Sequence, residues 1–94
     1  MMRFDWDTNK AATNLRKHGV SFQEASTVFA DENARLKSDL DHSEQEFRFI
    51  LLGLSARFRV VVVCHCYREN DTVIRIISAR KATSKERDQY WSYL

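Results

Sequence analysis

The chain has 94 residues, 44% of them hydrophobic, and a net charge of +2. That is enough for one modest core, so residues 1–94 are read as a single domain. No run approaches the roughly 18 apolar residues of a membrane span, and Met1-Met2-Arg3-Phe4-Asp5-Trp6-Asp7 carries acids where a signal peptide has its apolar stretch; a cytoplasmic protein with no membrane partner is expected.

Phe4 and Trp6 alternate with Asp5 and Asp7, which predicts a short first strand with one buried face. Asp7 or Thr8 caps a helix over 8–18 that buries Ala11, Ala12 and Leu15. Its end is marked by Arg16, Lys17 and His18, where the dipole favours cations, and by Gly19. Ser21-Phe22-Gln23-Glu24 spells a capping box and opens a second helix reaching residue 29, with Phe22, Ala25, Val28 and Phe29 on one side. Residues 35–38 suggest a short strand. Three stronger strands follow: 44–52, closed by Gly53; 58–67, with four successive valines; and 73–80, again β-branched. Short connections predict an antiparallel meander, with the valine strand central because it is apolar on both faces. Thr83-Ser84-Lys85-Glu86 is a second capping box, and the last helix carries Tyr90, Trp91 and Leu94 on one stripe. The expected fold is α+β: two N-terminal helices packed on a curved antiparallel sheet, with a C-terminal helix.

Cys64 and Cys66 flank His65. Residues i and i+2 of a strand stand about 6.5 Å apart, poor geometry for a disulfide. A Cys-His-Cys metal site is disfavoured because His65 would point to the opposite face and no second ligand pair exists. Two small buried hydrophobes fit better, and neither metal nor cofactor is expected.

Charge is distributed unevenly. Residues 31–46 carry six acids and two bases, a net of −4, whereas residues 47–87 carry nine bases and three acids, a net of +6. Seven of the nine are arginine, the cation whose fork suits phosphate and carboxylate: Arg48, Arg57, Arg59, Arg68, Arg75, Arg80 and Arg87. A polyanion or an acidic partner fits this, as does a solvated surface with internal ion pairs.

Strand alternation sorts the polar residues. Phe47, Phe49 and Leu51 form an apolar face that should meet the N-terminal helices. The other face should then collect Glu46, Arg48, His65, Tyr67 and one of Arg75 or Arg80; a bulge near Ser78 would bring both arginines round. Such a set suits RNA cleavage by internal attack of a 2′-hydroxyl, which needs a base, an acid and cations at the phosphate. Candidate catalytic residues are Arg80, Arg48, His42, Glu46 and Glu86; candidate RNA contacts are Arg75, Lys81, Arg59, Tyr67 and Arg87. Arg80 stands out, next to Lys81 and just before a helix N-terminus. Plainer structural readings stand beside these: His42 on the surface, His65 in packing, Glu86 as a cap, Tyr90 and Trp91 in the core.

Several blocks carry a family likeness: Phe4-Asp5-Trp6-Asp7 with Lys10 and Asn14; Lys17-His18-Gly19-Val20-Ser21-Phe22 with Glu24-Ala25 and Val28-Phe29; Asp41-His42 with Glu46 and Arg48; and Ile74-Arg75-Ile76-Ile77-Ser78-Ala79-Arg80-Lys81-Ala82, then Glu86-Arg87 and Tyr90. Across essentially its whole length the chain resembles the BrnT toxins of bacterial type II toxin–antitoxin pairs. The resemblance implies a RelE-like fold and a ribonuclease that stops translation. It also implies an antitoxin with a ribbon-helix-helix module, a complex of two toxins and two antitoxins, and repression of their own promoter, with operator DNA reached only through the antitoxin. The rival reading is a non-catalytic, partner-binding subunit of a transcriptional repressor complex.

Overall fold

The computed structural model describes residues 2–42 and 46–94. The elements run in the expected order: strand β1 (Arg3–Asp5), helices α1 (Thr8–His18) and α2 (Phe22–Thr27), a 3-10 turn (Val28–Ala30), β2 (Arg35–Ser38), a second 3-10 turn (Leu40–His42), strands β3 (Phe49–Leu54), β4 (Val60–Arg68) and β5 (Val73–Lys81), and helix α3 (Ser84–Ser92). The sheet order is β1-β5-β4-β3-β2, so the valine strand β4 is central. The expectation of an all-antiparallel sheet is corrected: β1 pairs parallel to β5, in the register Arg3↔Val73 to Asp5↔Arg75. β3 is also shorter than expected. It starts at Phe49, leaving Glu46 and Arg48 outside the strand; Glu44, placed on the strand by its alternation, lies outside the described residues.

Local chemistry accounts for the helices. The Asp7 carboxylate accepts from the backbone N–H groups of Asn9 and Lys10, and Gly19 closes α1 at φ 70°, the left-handed conformation that costs glycine nothing. At Ser21 only half of the capping box forms: its hydroxyl accepts from the Glu24 N–H, while the Glu24 carboxylate turns to other partners. At Thr83 the box is complete, with Glu86 accepting from the Thr83 N–H at 2.8 Å.

Each face of the sheet has its own core. On one, Val20, Phe22, Ala25 and Val28 pack against Leu51, Val61, Val63, Ile74, Ile76 and Ala79. On the other, Tyr90 of α3 and Ala82 pack against Val60 and Val62, with Ile50, Leu52 and Leu54 alongside. Asn14, rather than the expected Leu15, is what α1 buries; Leu15 is exposed. The Asn14 amide donates to the carbonyls of Val20 and Ala79 and accepts from the Ala79 N–H, tying α1 to β5 where no backbone partner is available. Gly53 does not end β3 but lies buried inside it. A Cβ there would sit 2.8 Å from Val28 Cγ1 and 2.9 Å from Ala34 Cβ, so the bare backbone is what lets the first 3-10 turn close onto the sheet.

β4 and β5 fall out of register between Cys64 and His65: Cys64 faces Ser78, but His65 faces Ile76, so Ile77 is an extra residue. This bulge reverses the alternation of β5. Ile74 and Ile76 point to the α1–α2 side with Ala79, while Arg75, Ser78 and Arg80 share the opposite side with Cys66, Cys64 and Val62.

Candidate functional site

The sheet face away from α1 and α2 is only partly covered by α3, and along it the bulge brings Arg75 and Arg80 to the side that Arg48 also occupies. Arg80 sits at the end of β5 beside the first turn of α3. Its guanidinium makes a two-pronged pair with Glu86, Nη1 to Oε1 at 2.7 Å and Nη2 to Oε2 at 3.0 Å. The Arg80 pair and the cap together hold the Glu86 carboxyl down at about 2, well below its ordinary value, so it is ionised at every working pH. Arg75 donates to Asp5 at 2.6 Å, and this bond lowers the Asp5 carboxyl. Arg48 is half-buried. Its carbonyl accepts from the Asp39 N–H at 2.8 Å, and both side chains lie within electrostatic reach of Cys64. Burial raises the Cys64 and Cys66 thiols, so both are neutral at pH 7 and act as polar floor rather than as nucleophiles. Arg68 reaches Glu46 at 3.2 Å on the rim.

Arginines with their forks loaded by carboxylates can exchange those anions for a phosphate of matching geometry. Among the described residues no three His, Cys, Asp or Glu side chains converge as metal ligands would.

Comparison with known proteins fits this picture. Residues 6–86 match the family described as "Ribonuclease toxin, BrnT, of type II toxin-antitoxin system". The chain belongs to the BrnT toxin family. A solved structure, the Brucella abortus ribonuclease toxin BrnT, superposes with a TM-score of 0.68 at 21% identity, covering 89% of this chain and 100% of that one. No curated protein sequence matches. As a type II toxin, this BrnT protein has an antitoxin partner and RNA as its substrate.

Within the BrnT chain, the structure gathers some predicted residues and separates others. Arg80, Arg75 and Arg48 share the open face, with Glu46 on its rim and Glu86 bound to Arg80. Arg87 stays at the start of α3, donating to the Ala82 carbonyl and the Ser84 hydroxyl. His42 ends the second 3-10 turn.

Five residues lie elsewhere than the sequence predicts. The sequence puts Tyr67 and His65 on the open face, but Phe49 lies directly opposite His65, which places both on the helix side. His65 is fully buried against the Phe29 ring (4.8 Å); its Nδ1 donates to the Val63 carbonyl and its Nε2 accepts from the Tyr67 hydroxyl. Burial pulls its pKa down, so it is neutral packing. Phe47, expected to meet the helices, is 75% exposed. Arg59 points to the helix side, where Nε and Nη2 bind Glu24 and Nη2 also donates to the Gly19 carbonyl, which ties it to the α1–α2 junction. Lys81 is on that side too, its Nζ near Gly19.

Sequence reading also missed Asp5, the counter-ion of Arg75, and the lining of a groove between β2 and α3 that contains Arg35, Lys37, Gln89 and Tyr93. The Arg35–Leu52 register and the packing of α3 across the sheet become visible only once the strands are paired.

Proposed function

We propose that this BrnT toxin is an endoribonuclease whose open sheet face cleaves RNA by attack of a 2′-hydroxyl on the adjacent phosphate, without a metal. The observation that carries this reading is the bulge at Ile77, which turns Arg75 and Arg80 to one face with Arg48. Arg80 and Arg48 bind the scissile phosphate and offset its growing charge, and Arg75 holds a flanking phosphate. Glu86, ionised down to about pH 2, aligns Arg80 rather than moving a proton. Glu46, with an ordinary carboxylate's exposure on the rim, and His42 are the candidates for the proton transfers.

The wider reading is a RelE-like fold acting in the cytoplasm, neutralised by a ribbon-helix-helix antitoxin in a 2:2 complex that represses its own operon through the antitoxin's DNA contacts. The positive surplus of residues 47–87 supports an acidic or amphipathic antitoxin segment over the same face, which would exclude RNA.

The test is incubation of the purified chain with RNA in EDTA, with primer extension to map new 5′ ends. Discrete cleavage in EDTA supports the reading, and cleavage restored only by added zinc overturns its metal independence. A chain that cuts no RNA, and arrests no growth on induction, is instead the repressor subunit of the rival reading.

A further inference from the structure

On the open face three arginines hold a carboxylate: Glu86 on Arg80, Asp5 on Arg75 and Glu46 on Arg68. The groove between β2 and α3 is different. It has a volume of about 370 Å³, and among the described residues its lining holds two cations, Arg35 and Lys37, and no acid. Its floor is apolar, from Ile50 and Leu52; one wall is the Tyr93 ring and the polar amide of Gln89. The Arg35 guanidinium lies flat over Tyr93, 3.5 Å from the ring centroid, which gives the groove a stacked planar wall.

An apolar slot with planar walls, an amide and two cations fits one ligand chemistry: an unpaired nucleobase with its phosphate. The base stacks on the Arg35–Tyr93 pair, Gln89 offers both a donor and an acceptor to its edge, and Lys37 meets the phosphate. We propose that this groove is a nucleobase subsite that holds a nucleotide flanking the one cut, and so sets sequence preference.

The placement supports a flanking position. The register carries Arg35 through Leu52 and Val62 to Arg80, and Lys37 through Ile50 and Cys64 to Ser78. The groove therefore lies three strand spacings, about 14 Å, from the arginines of β5 and on the same face. The Leu52–Val62 line lies beneath Tyr90 of α3, so one RNA strand reaches both places along the Lys37–Ile50–Cys64–Ser78 line beside the helix.

The inference rests on the ribonuclease reading for its biological meaning, but its test does not depend on cleavage. A single-stranded RNA with 2′-O-methyl groups throughout, so that it cannot be cut, and with 4-thiouridine at successive positions, is bound to the chain and irradiated. The expected crosslink falls within residues 35–37 or 89–94. Tyr93→Ala and Arg35→Ala should each weaken binding about tenfold, the scale of one lost base stack, while Tyr93→Phe retains it. Tyr93 is 69% exposed, so these changes leave the core untouched. Crosslinks confined elsewhere, no binding of the oligonucleotide, or unchanged affinity in both alanine variants overturns the subsite. Binding at the groove by a chain that never cuts ordinary RNA overturns the nuclease reading and leaves the subsite standing.

Discussion

Two arginine–carboxylate pairs stand on opposite sides of the same sheet. In the first, Arg59 holds Glu24, whose side chain is 3% exposed and also accepts from the Ser55 hydroxyl at 2.7 Å. In the second, Arg80 holds Glu86, and the Arg80 side chain is 42% exposed. The contacts have nearly the same lengths. What differs is the surroundings: the Glu24 pair is locked between α2, the end of α1 and β4, and nothing can take the carboxylate's place, whereas Arg80 opens onto a face where a phosphate can. The same pairing is a fastening in one place and, in the proposed function, a loaded binding group in the other.

That contrast breaks first at Glu24. Removing one partner of a buried pair strands the other, which costs about 3 kcal/mol here, the low end of the range for buried pairs, because the Arg59 side chain is 28% exposed. Glu24→Ala should therefore lower the urea midpoint severely, and a variant as stable as the parent would erase the distinction between the two sides. Arg80→Ala is the converse case. It should lose about 2–4 kcal/mol of transition-state stabilisation in RNA cleavage yet unfold close to the parent, since half-exposed pairs contribute little to stability. Full cleavage by both Arg80→Ala and Arg48→Ala would remove the arginines from the chemistry.

pH sharpens the comparison further. His65 is buried neutral on the covered side, so the unfolded chain takes up a proton more readily than the folded one. Its contribution is complete above its ordinary value of about 6.5 and is lost as pH falls below it. Stability followed by denaturant from pH 7.5 downward should decline through that window, and His65→Phe should flatten the decline. The smallest effect belongs to Glu86. Its pKa is depressed to about 2, so the stability it lends is present above about 4.5 and disappears between 4.5 and 2. Discounted for the exposed flank of Arg80, this amounts to about 1 kcal/mol. Arg80→Ala should lose the same acid-range dependence, which a thermal melt series from pH 5 to 2.5 can resolve.

Much of this architecture is legible in the residues. Caps at Asp7, Ser21 and Thr83 place the helices, Gly19 ends α1, and the valine run announces the central strand, because these signals are local. The orientation of the faces is not local. Alternation says that Val61, Val63, His65 and Tyr67 share a side, as they do, but which side is decided by pairing His65 with Phe49. The bulge at Ile77 shifts parity in the middle of a strand whose sequence looks regular. Arg59 reads as one more exposed cation until Glu24, 35 residues earlier, folds against it. The candidate face is therefore half visible: its arginines can be named, and a bulge near Ser78 can be invoked to join Arg75 with Arg80, but whether the strand bulges, and the whole of the β2–α3 groove, depend on tertiary pairing.

The parallel ladder between β1 and β5 has a consequence in time. Asp5 and Arg75 are 70 residues apart in the chain, and Asn14 meets Ala79 across 65. A ribosome releases the N-terminus first, so β1 and α1 emerge long before the strand that receives them. Contacts this distant pay their loop-closure cost before any gain and form late. The arginine face is thus assembled only once the last quarter of the polypeptide has been made, and a nascent toxin passes most of its synthesis without the surface to which the proposed function assigns RNA cleavage.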